Sequence, residues 1–395
     1  MRVVSSLFLP VLLTEVWLVT SFNLSSHSPE APVHLESRDY ENQTWEEYAR
    51  TDPREEEEEE EEEKEEGKDE EYWLRASQQL SNETSSFGFN LLRKISMRHD
   101  GNVIFSPFGL SVAMVNLMLG TKGETKVQVE NGLNLQALSQ AGPLILPALF
   151  KKVKETFSSH QDLGLSQGSF AFIHKDFDIK ETYFNLSKKY FDTEYVSINF
   201  QNSSQARGLI NHCITKETEG KIPKLFDEIN PETKLILVDY ILFKGHATML
   251  VVLMEKTGDH LALEDYLTVD LVETWLQNMK TRKMEVFFPK FKLNQRYEMH
   301  ELLKQMGIRR VFSTSADLSE LSAMARNLQV SRVLQQSVLE VDERGTEAVS
   351  GTLSEIIAYS MPPAIKVNRP FHFIIYEETS KMLLFLGRVV NPTVL

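Results

Sequence analysis

The residues able to do chemistry do not assemble into a familiar catalytic pattern. The chain reads as having no G-x-S-x-G elbow, no H-E-x-x-H helix and no G-x-G-x-x-G loop. Gly220-Lys-Ile-Pro lacks the leading glycine spacing and the Ser/Thr of a P-loop. Ten histidines are scattered, and none stands at ligand spacing from the single cysteine, Cys213, which argues against a zinc site. Asp259-His260 reads as a solvated turn rather than half of a triad, and Cys213 as a buried small hydrophobe. The informative stretch is Val341-Asp-Glu-Arg-Gly-Thr-Glu-Ala-Val-Ser-Gly-Thr-Leu-Ser-Glu-Ile-Ile-Ala-Tyr-Ser-Met-Pro-Pro363. A segment this long and polar is uncommon inside a compact domain and is usually functional or disordered. It also has latent strand character. Thr346, Ala348, Ser350 and Thr352 alternate as small residues, so at period two they share one face and meet a core without a bulky or charged obstacle. Glu347, Val349 and Leu353 take the other face, and Gly345 permits a hinge.

The elements around this stretch are legible from periodicity. An apolar strand over 329–342 leads into it, and apolar strands over 371–376 and 382–389 follow it. Upstream, 83–97 reads as an amphipathic helix and 103–105 as a short strand. Ser106 suits an N-cap with Pro107 at the first helical position, opening a helix over 110–119 that is apolar on nearly every face and hence buried. Strands are expected over 168–173, 194–200, 234–244, 247–255, 284–288 and 290–293. Helices are expected over 205–218, 261–266, 269–279 and 297–306. Strands and helices mix without βαβ alternation, which argues for an α+β fold with large antiparallel sheets.

Charge divides the chain. Of 57 acids and 42 bases, residues 1–71 hold 22 and 6, leaving 35 and 36 for 72–395. The net charge of −15 therefore belongs to an extension rather than a domain. The balance gives no sign of a basic nucleic-acid binder. Glu55 to Glu63 is an unbroken glutamate run, so residues 22–71 are expected to be a disordered acidic extension. Arg2, the apolar 3–13 and 16–19, and small Ser21 read as a signal peptide over 1–21. Five sequons fit export, at Asn23, Asn42, Asn82, Asn185 and Asn202. A single cysteine allows no intramolecular disulfide.

Residues 72–395 resemble the serpin family. The resemblance rests on 102–120, Thr218-Glu-Gly-Lys-Ile222, Phe288-Pro-Lys-Phe-Lys-Leu293, Glu343-Arg-Gly-Thr-Glu-Ala348, Asn368-Arg-Pro-Phe-His-Phe373 and Leu384-Phe-Leu-Gly-Arg-Val-Val-Asn-Pro392, in that order. It implies a serpin fold with an exposed reactive loop over 343–363, and a suicide-substrate inhibitor of serine proteases rather than an enzyme. Strand addition and release of stored strain are physical devices such a loop uses. The implied bait bond is Tyr359–Ser360, and the implied hinge is Glu343, Gly345, Thr346, Ala348 and Ser350. The implied targets are coagulation factor Xa, assisted by protein Z on membranes, and factor XIa. The resemblance puts protein Z contacts on Met97, Asp100 and Asp265, and no small-molecule cofactor is implied. Many relatives bind heparin through a basic helix; here 130–143 has no Lys or Arg, while Lys122, Lys126, Lys151, Lys152 and Lys154 stand nearby, so a glycosaminoglycan site is implied only in weakened form.

The sequence departs from the family pattern at one junction. After Phe243-Lys-Gly245 the text passes at once to His246-Ala-Thr-Met-Leu, and roughly 50 residues of a full serpin domain are missing, judged by length. Such a loss would expose sheet edges and uncover core. It leaves a non-inhibitory binding protein, or a poorly folded chain, as the alternative to an inhibitor.

Overall fold

Ser106 and Pro107 start the central helix as their types dictate. In the computed structural model, Ser106 is extended at φ −108°, ψ 106°, its hydroxyl accepts from the Gly109 amide at 3.0 Å, and Pro107 opens the helix. The structure describes residues 2–6, 14–20, 53–159, 165–243, 248–254, 260–282, 284–324, 328–330, 332–341 and 364–394.

In chain order, strands β1 (Arg2–Ser6) and β2 (Thr14–Thr20) precede helix α1 (Pro53–Ser96), strand β3 (Val103–Phe105) and helix α2 (Pro107–Met118). Helices α3 (Gly123–Gly132), α4 (Gln136–Ser139) and α5 (Ile145–Ser159) follow, then β4 (Leu165–His174), α6 (Glu181–Phe191), β5 (Glu194–Ile198) and α7 (Ser203–Glu217). Strands β6 (Leu235–Phe243) and β7 (Thr248–Met254) flank the junction where family text is missing. Then come α8 (His260–Tyr266), α9 (Val269–Asn278), β8 (Lys280–Arg282), β9 (Glu285–Phe287), β10 (Phe291–Glu298), α10 (Met299–Gln305) and β11 (Leu334–Val341). Strands β12 (Ala364–Lys366), β13 (Phe371–Tyr376) and β14 (Leu383–Val389) close the chain.

The α+β reading holds, with four separate sheets among the described residues. The largest has seven strands in the order β3-β14-β13-β7-β2-β1-β8. Every residue of β7, β13 and β14 is buried, in keeping with their largely apolar runs, and Thr248, His372 and Arg388 are buried with them. Gly387 of β14 lies opposite Ile104 of β3, and a Cβ there would stand 2.3 Å from the Val103 carbonyl and 2.4 Å from the Phe373 ring, so only glycine lets the three strands close. Helix α2 packs beneath, buried on almost every face. A second sheet orders β5-β4-β6, and two pairs, β10-β11 and β12-β9, stand apart from it. Helix α7 covers the outer face of β4 and β6, where Phe170, Phe172, Val238 and Tyr240 meet Ala206, Ile210 and Ile214 in a second core.

Two expectations change. The acidic segment was expected to be disordered through residue 71, but α1 runs from Pro53 through the glutamate run to Ser96. Glutamate is a good helix former, and negative charge is favoured at a helix N-terminus. Leu80, Phe87, Leu91, Leu92 and Ile95 anchor the far end in the core. Residues 22–52 lie outside the described residues. Secondly, residues 2–6 and 14–20, within the expected signal peptide, form two antiparallel strands. β2 pairs with β7 over Thr14↔Met254 to Val19↔Met249, and β1 pairs with β8. Among the described residues no helix is long and apolar enough to cross a membrane.

Candidate functional site

The candidate site lies where two strands meet without joining. β6 pairs with β4, and β11 pairs with β10, each antiparallel. β6 and β11 lie side by side, yet no ladder links them among the described residues. Each therefore presents a free edge to the other. The pleats agree across the gap. On β6, Leu235, Leu237 and Ile241 face the main core, while Ile236, Val238 and Tyr240 face the core under α7. On β11, Leu339 and Val341 face the main core, while Leu334 and Val338 face the other. The open edge leaves Leu235, Ile236 and Leu237 half-buried, although the neighbouring β4 residues Phe170 to Phe172 are buried. The chain that leaves β11 at Val341 is the polar stretch singled out above, and it returns at Ala364.

The main-core face of this slot carries three polar residues, Asp239, Gln335 and Ser337. Gln335 is satisfied: its Nε2 donates to the Ser106 carbonyl at 2.7 Å and its Oε1 accepts from the Ser106 amide at 3.3 Å. Ser106 Oγ in turn donates to the Leu384 carbonyl at 2.6 Å, so the cap of α2 ties β11 to β14. Ser337 is fully buried and its hydroxyl has no partner. Asp239 is half-buried, and both of its carboxylate oxygens are sealed from solvent. Burial pushes this carboxyl up to about 7, against the opposing influence of Ser169 and Lys154. Ser169 is its cross-strand partner, and accepts from Asn116 Nδ2 at 3.4 Å and Thr193 Oγ1 at 3.2 Å. Ser187 completes that polar cluster, donating to Asn116 Oδ1 at 2.8 Å. The Tyr183 and Tyr195 hydroxyls nearby are buried without partners, and burial raises both.

The three expected partner-contact residues come together on a different surface. Met97 follows the last turn of α1 and is 72% exposed; Asp100 lies in the turn after it, and Asp265 is exposed on α8 beside Tyr266, itself 60% exposed. Arg93 of α1 donates to the Glu264 carbonyl at 2.9 Å and the Leu267 carbonyl at 2.5 Å. Beneath them Arg388 of β14, fully buried, donates to the His99 carbonyl at 2.6 Å, the Gly101 carbonyl at 3.1 Å and Glu264 Oε1 at 2.6 Å. His372 Nε2 meets the same Glu264 oxygen at 2.8 Å. Burial alone would raise the Glu264 carboxyl; hydrogen bonding and charge from His372, with the Arg388 charge, reverse this and hold it below its usual range. Burial lowers His372 despite Glu264. An internal ion pair thus pins the two segments that carry Met97, Asp100 and Asp265.

Other expectations scatter. Glu343, Gly345, Thr346, Ala348, Ser350, Tyr359 and Ser360 lie outside the described residues, as do Asn23, Asn42 and the Gly245–His246 junction. Asn82 on α1 and Asn185 on α6 are exposed; Asn202 caps α7, accepting from the Gln205 amide at 3.2 Å. Cys213 is half-buried on α7 rather than fully buried, packed against the second core, and burial raises its thiol. The five lysines near α3 and α5 are engaged: Lys122 with Glu320, Lys126 with Glu130, Lys151 with Glu155, Lys154 with Asp192, and Lys152 over the Trp73 ring. Gly164-Leu-Ser-Gln-Gly168 has the spacing of a hydrolase elbow, but Ser166 sits within β4 opposite Leu242, not on a strand-to-helix turn. Among the described residues no three potential metal ligands cluster. Sequence reasoning missed Asp239 and the Glu264–His372–Arg388 group; the signal for Asp239 was a lone acid inside Leu235-Ile-Leu-Val-Asp-Tyr-Ile-Leu-Phe243.

Comparison with known proteins gives consistent answers. The family model described as serpin (serine protease inhibitor) matches residues 82–248 and 244–392, two pieces that meet at the junction after β6. The mouse protein Z-dependent protease inhibitor is 84% identical over 449 aligned positions covering all of both chains. The human protein of that name is 63% identical over 450 positions, again covering both chains fully. With 395 residues against 449 positions, 54 positions of the mouse alignment have no residue of this chain. The crystal structure of mouse protein Z-dependent protease inhibitor is 81% identical, with a TM-score of 0.75, and covers 82% of this chain and 100% of its own.

Proposed function

The chain belongs to the serpin family, serine protease inhibitors, and we propose that it acts as a suicide substrate with Tyr359–Ser360 as the bait bond. The observation that carries this reading is the open slot between β6 and β11, which stands beside the segment that leaves β11. A protease serine attacks the Tyr359 carbonyl; the peptide bond to Ser360 breaks, Ser360 leaves as an amine, and an ester joins Tyr359 to the protease. The freed segment, hinged at Glu343 and Gly345, enters the slot and pairs with both free edges. Thr346, Ala348 and Ser350 face the core as it does so. Insertion moves the tethered protease away before water reaches the ester.

The relatives' name supports protein Z as the protein partner; factor Xa and factor XIa are the targets that the family resemblance implies. The exposed surface of Met97, Asp100, Asp265 and Tyr266 supports a docking site for that partner. A tyrosine poorly fits an acidic specificity pocket, so docking has to supply effective concentration. The leader and the sequons support secretion as a glycoprotein. The paired lysines give glycosaminoglycan little free charge, so heparin would bind weakly.

The experiment is incubation with factor Xa and protein Z, then a denaturing gel. A stable band at the summed mass is expected, weaker without protein Z. Cleavage after Tyr359 with no such band would favour the second reading, a non-inhibitory serpin. That reading has its own support: β6 ends at Phe243, the family match breaks at 244–248, and 54 aligned positions are missing.

A further inference from the structure

We infer that Met97 is a redox-sensitive site: its thioether takes one oxygen atom from an oxidant of the peroxide class, and the sulfoxide so formed weakens docking of the protein partner without unfolding the chain. The inference rests on the docking reading above and adds a means of regulation to the same surface.

The methionines divide sharply by exposure. Met114, Met118, Met249, Met254, Met299 and Met382 are buried. Among the described residues only Met97 and Met324 are exposed, at 72% and 56%. Met97 is also the most open of the large apolar side chains described, and Tyr266, at 60%, comes next. The two stand on segments that Arg93 ties together. Arg93 lies one turn before Met97 and donates to the Glu264 and Leu267 carbonyls, which flank Asp265 and Tyr266. Exposed apolar side chains gathered on one surface mark a place that another protein covers. The thioether is thus open to solvent in the free chain and closed off once the partner is bound.

The reaction needs only access to sulfur. A sulfur lone pair attacks one peroxide oxygen and the O–O bond breaks. The proton on the transferred oxygen passes to the departing hydroxide, which leaves as water. Sulfur is oxidised by two electrons and the peroxide is reduced by two. The product is a polar, chiral side chain, and its effect depends on where it stands. In the core it would have to bury an unpaired oxygen, which is costly. At Met97 the fold has nothing to lose: the side chain is in solvent, the backbone amide is held by the Arg93 carbonyl at 3.2 Å, and the Arg388–Glu264 pair beneath is untouched. The cost falls on docking alone. A partner that covers a thioether gains from its burial, whereas one that covers a sulfoxide must strip water from its oxygen.

The test uses the full chain, hydrogen peroxide and protein Z. After brief treatment, peptide mass mapping is expected to find sulfoxide at Met97 ahead of the buried methionines, with the melting temperature unchanged. Titration with protein Z is expected to show binding about ten-fold weaker or worse, the size expected when one methionine side chain no longer gains from burial. Methionine sulfoxide reductase is expected to restore it. Met324→Leu is expected to keep the sensitivity to peroxide. Met97→Leu, compared with itself before and after treatment, is expected to lose it. No protein Z binding by the untreated chain would overturn the docking reading, and this inference with it. Undiminished binding by chain oxidised at Met97 would overturn this inference and leave docking standing. A loss that persists in Met97→Leu would place the sensitive residue elsewhere, and a loss that tracks a fall in melting temperature would make it unfolding; either result overturns the inference.

Discussion

Two buried charged residues decide most of what single substitutions should do. Asp239 has a folded value of about 7 against about 3.9 for an ordinary aspartate. Between those values the folded chain keeps a proton that the unfolded chain has lost. The favourable contribution is therefore whole below about pH 4 and gone once pH passes about 7. Asp239→Asn cannot titrate, so it should match the parent near pH 4 and gain on it as pH rises to 7, by at most about 1.4 kcal/mol per pH unit. Urea melts at pH 4.5 and 7.5 measure this; a constant difference would refute it. Lys154 and Tyr183 are the charged or titratable groups that act on the carboxyl. Arg388 is the second. Arg388→Met removes the cation from Glu264 and the donors from His99 and Gly101. A loss of about 3–5 kcal/mol is expected, as for a buried pair stripped of one partner. Its effect on protein Z binding, read by titration at a temperature where the variant stays folded, should exceed that of Arg75→Met, whose ion pair with Glu71 is exposed. Asp239 left a signal, a lone acid in an apolar run, whereas Glu264, His372 and Arg388 left none because only packing brings them together.

At the scale of elements the sequence was most readable where one signal dominated. Apolar runs located β6, β7, β13 and β14 to within a residue or two, and Ser106-Pro107 marked the start of α2. Helices α3, α5 and α6 went unpredicted, because their helical faces show only against a core that the sequence does not display. Periodicity alone cannot say which strands pair, so the unpaired approach of β6 to β11 was not legible. The acidic run was misjudged by weighing repulsion above propensity. Repulsion still acts there: like charges four apart weaken a helix. Lowering pH from 7 to about 4 should neutralise much of it and raise the helical far-ultraviolet signal. A chain lacking 53–69 should show no such rise, and a rise of equal size in that chain would place its origin elsewhere.

At the scale of the molecule, a long acidic helix precedes a nearly neutral body, and 54 positions of the alignment with its mouse relative have no residue of this chain. The apolar edge of β7 is nevertheless covered, by β2 and then β1. If residues 1–21 serve as the signal peptide their composition suggests, folding and export compete for the same twenty residues. Removal of 1–21 on entry to the secretory pathway takes away two of seven strands and leaves β7 as an unpaired apolar edge, a template for self-association. A chain that keeps them completes its sheet but carries an uncut leader. Intact mass should find monomer that retains residues 1–21 inside the cell, and the processed form in oligomers or bound to chaperones; abundant processed monomer in the medium would contradict this. A segment written as an address would then act as a scaffold, and the fate of the protein would be settled by whether peptidase or sheet reaches it first.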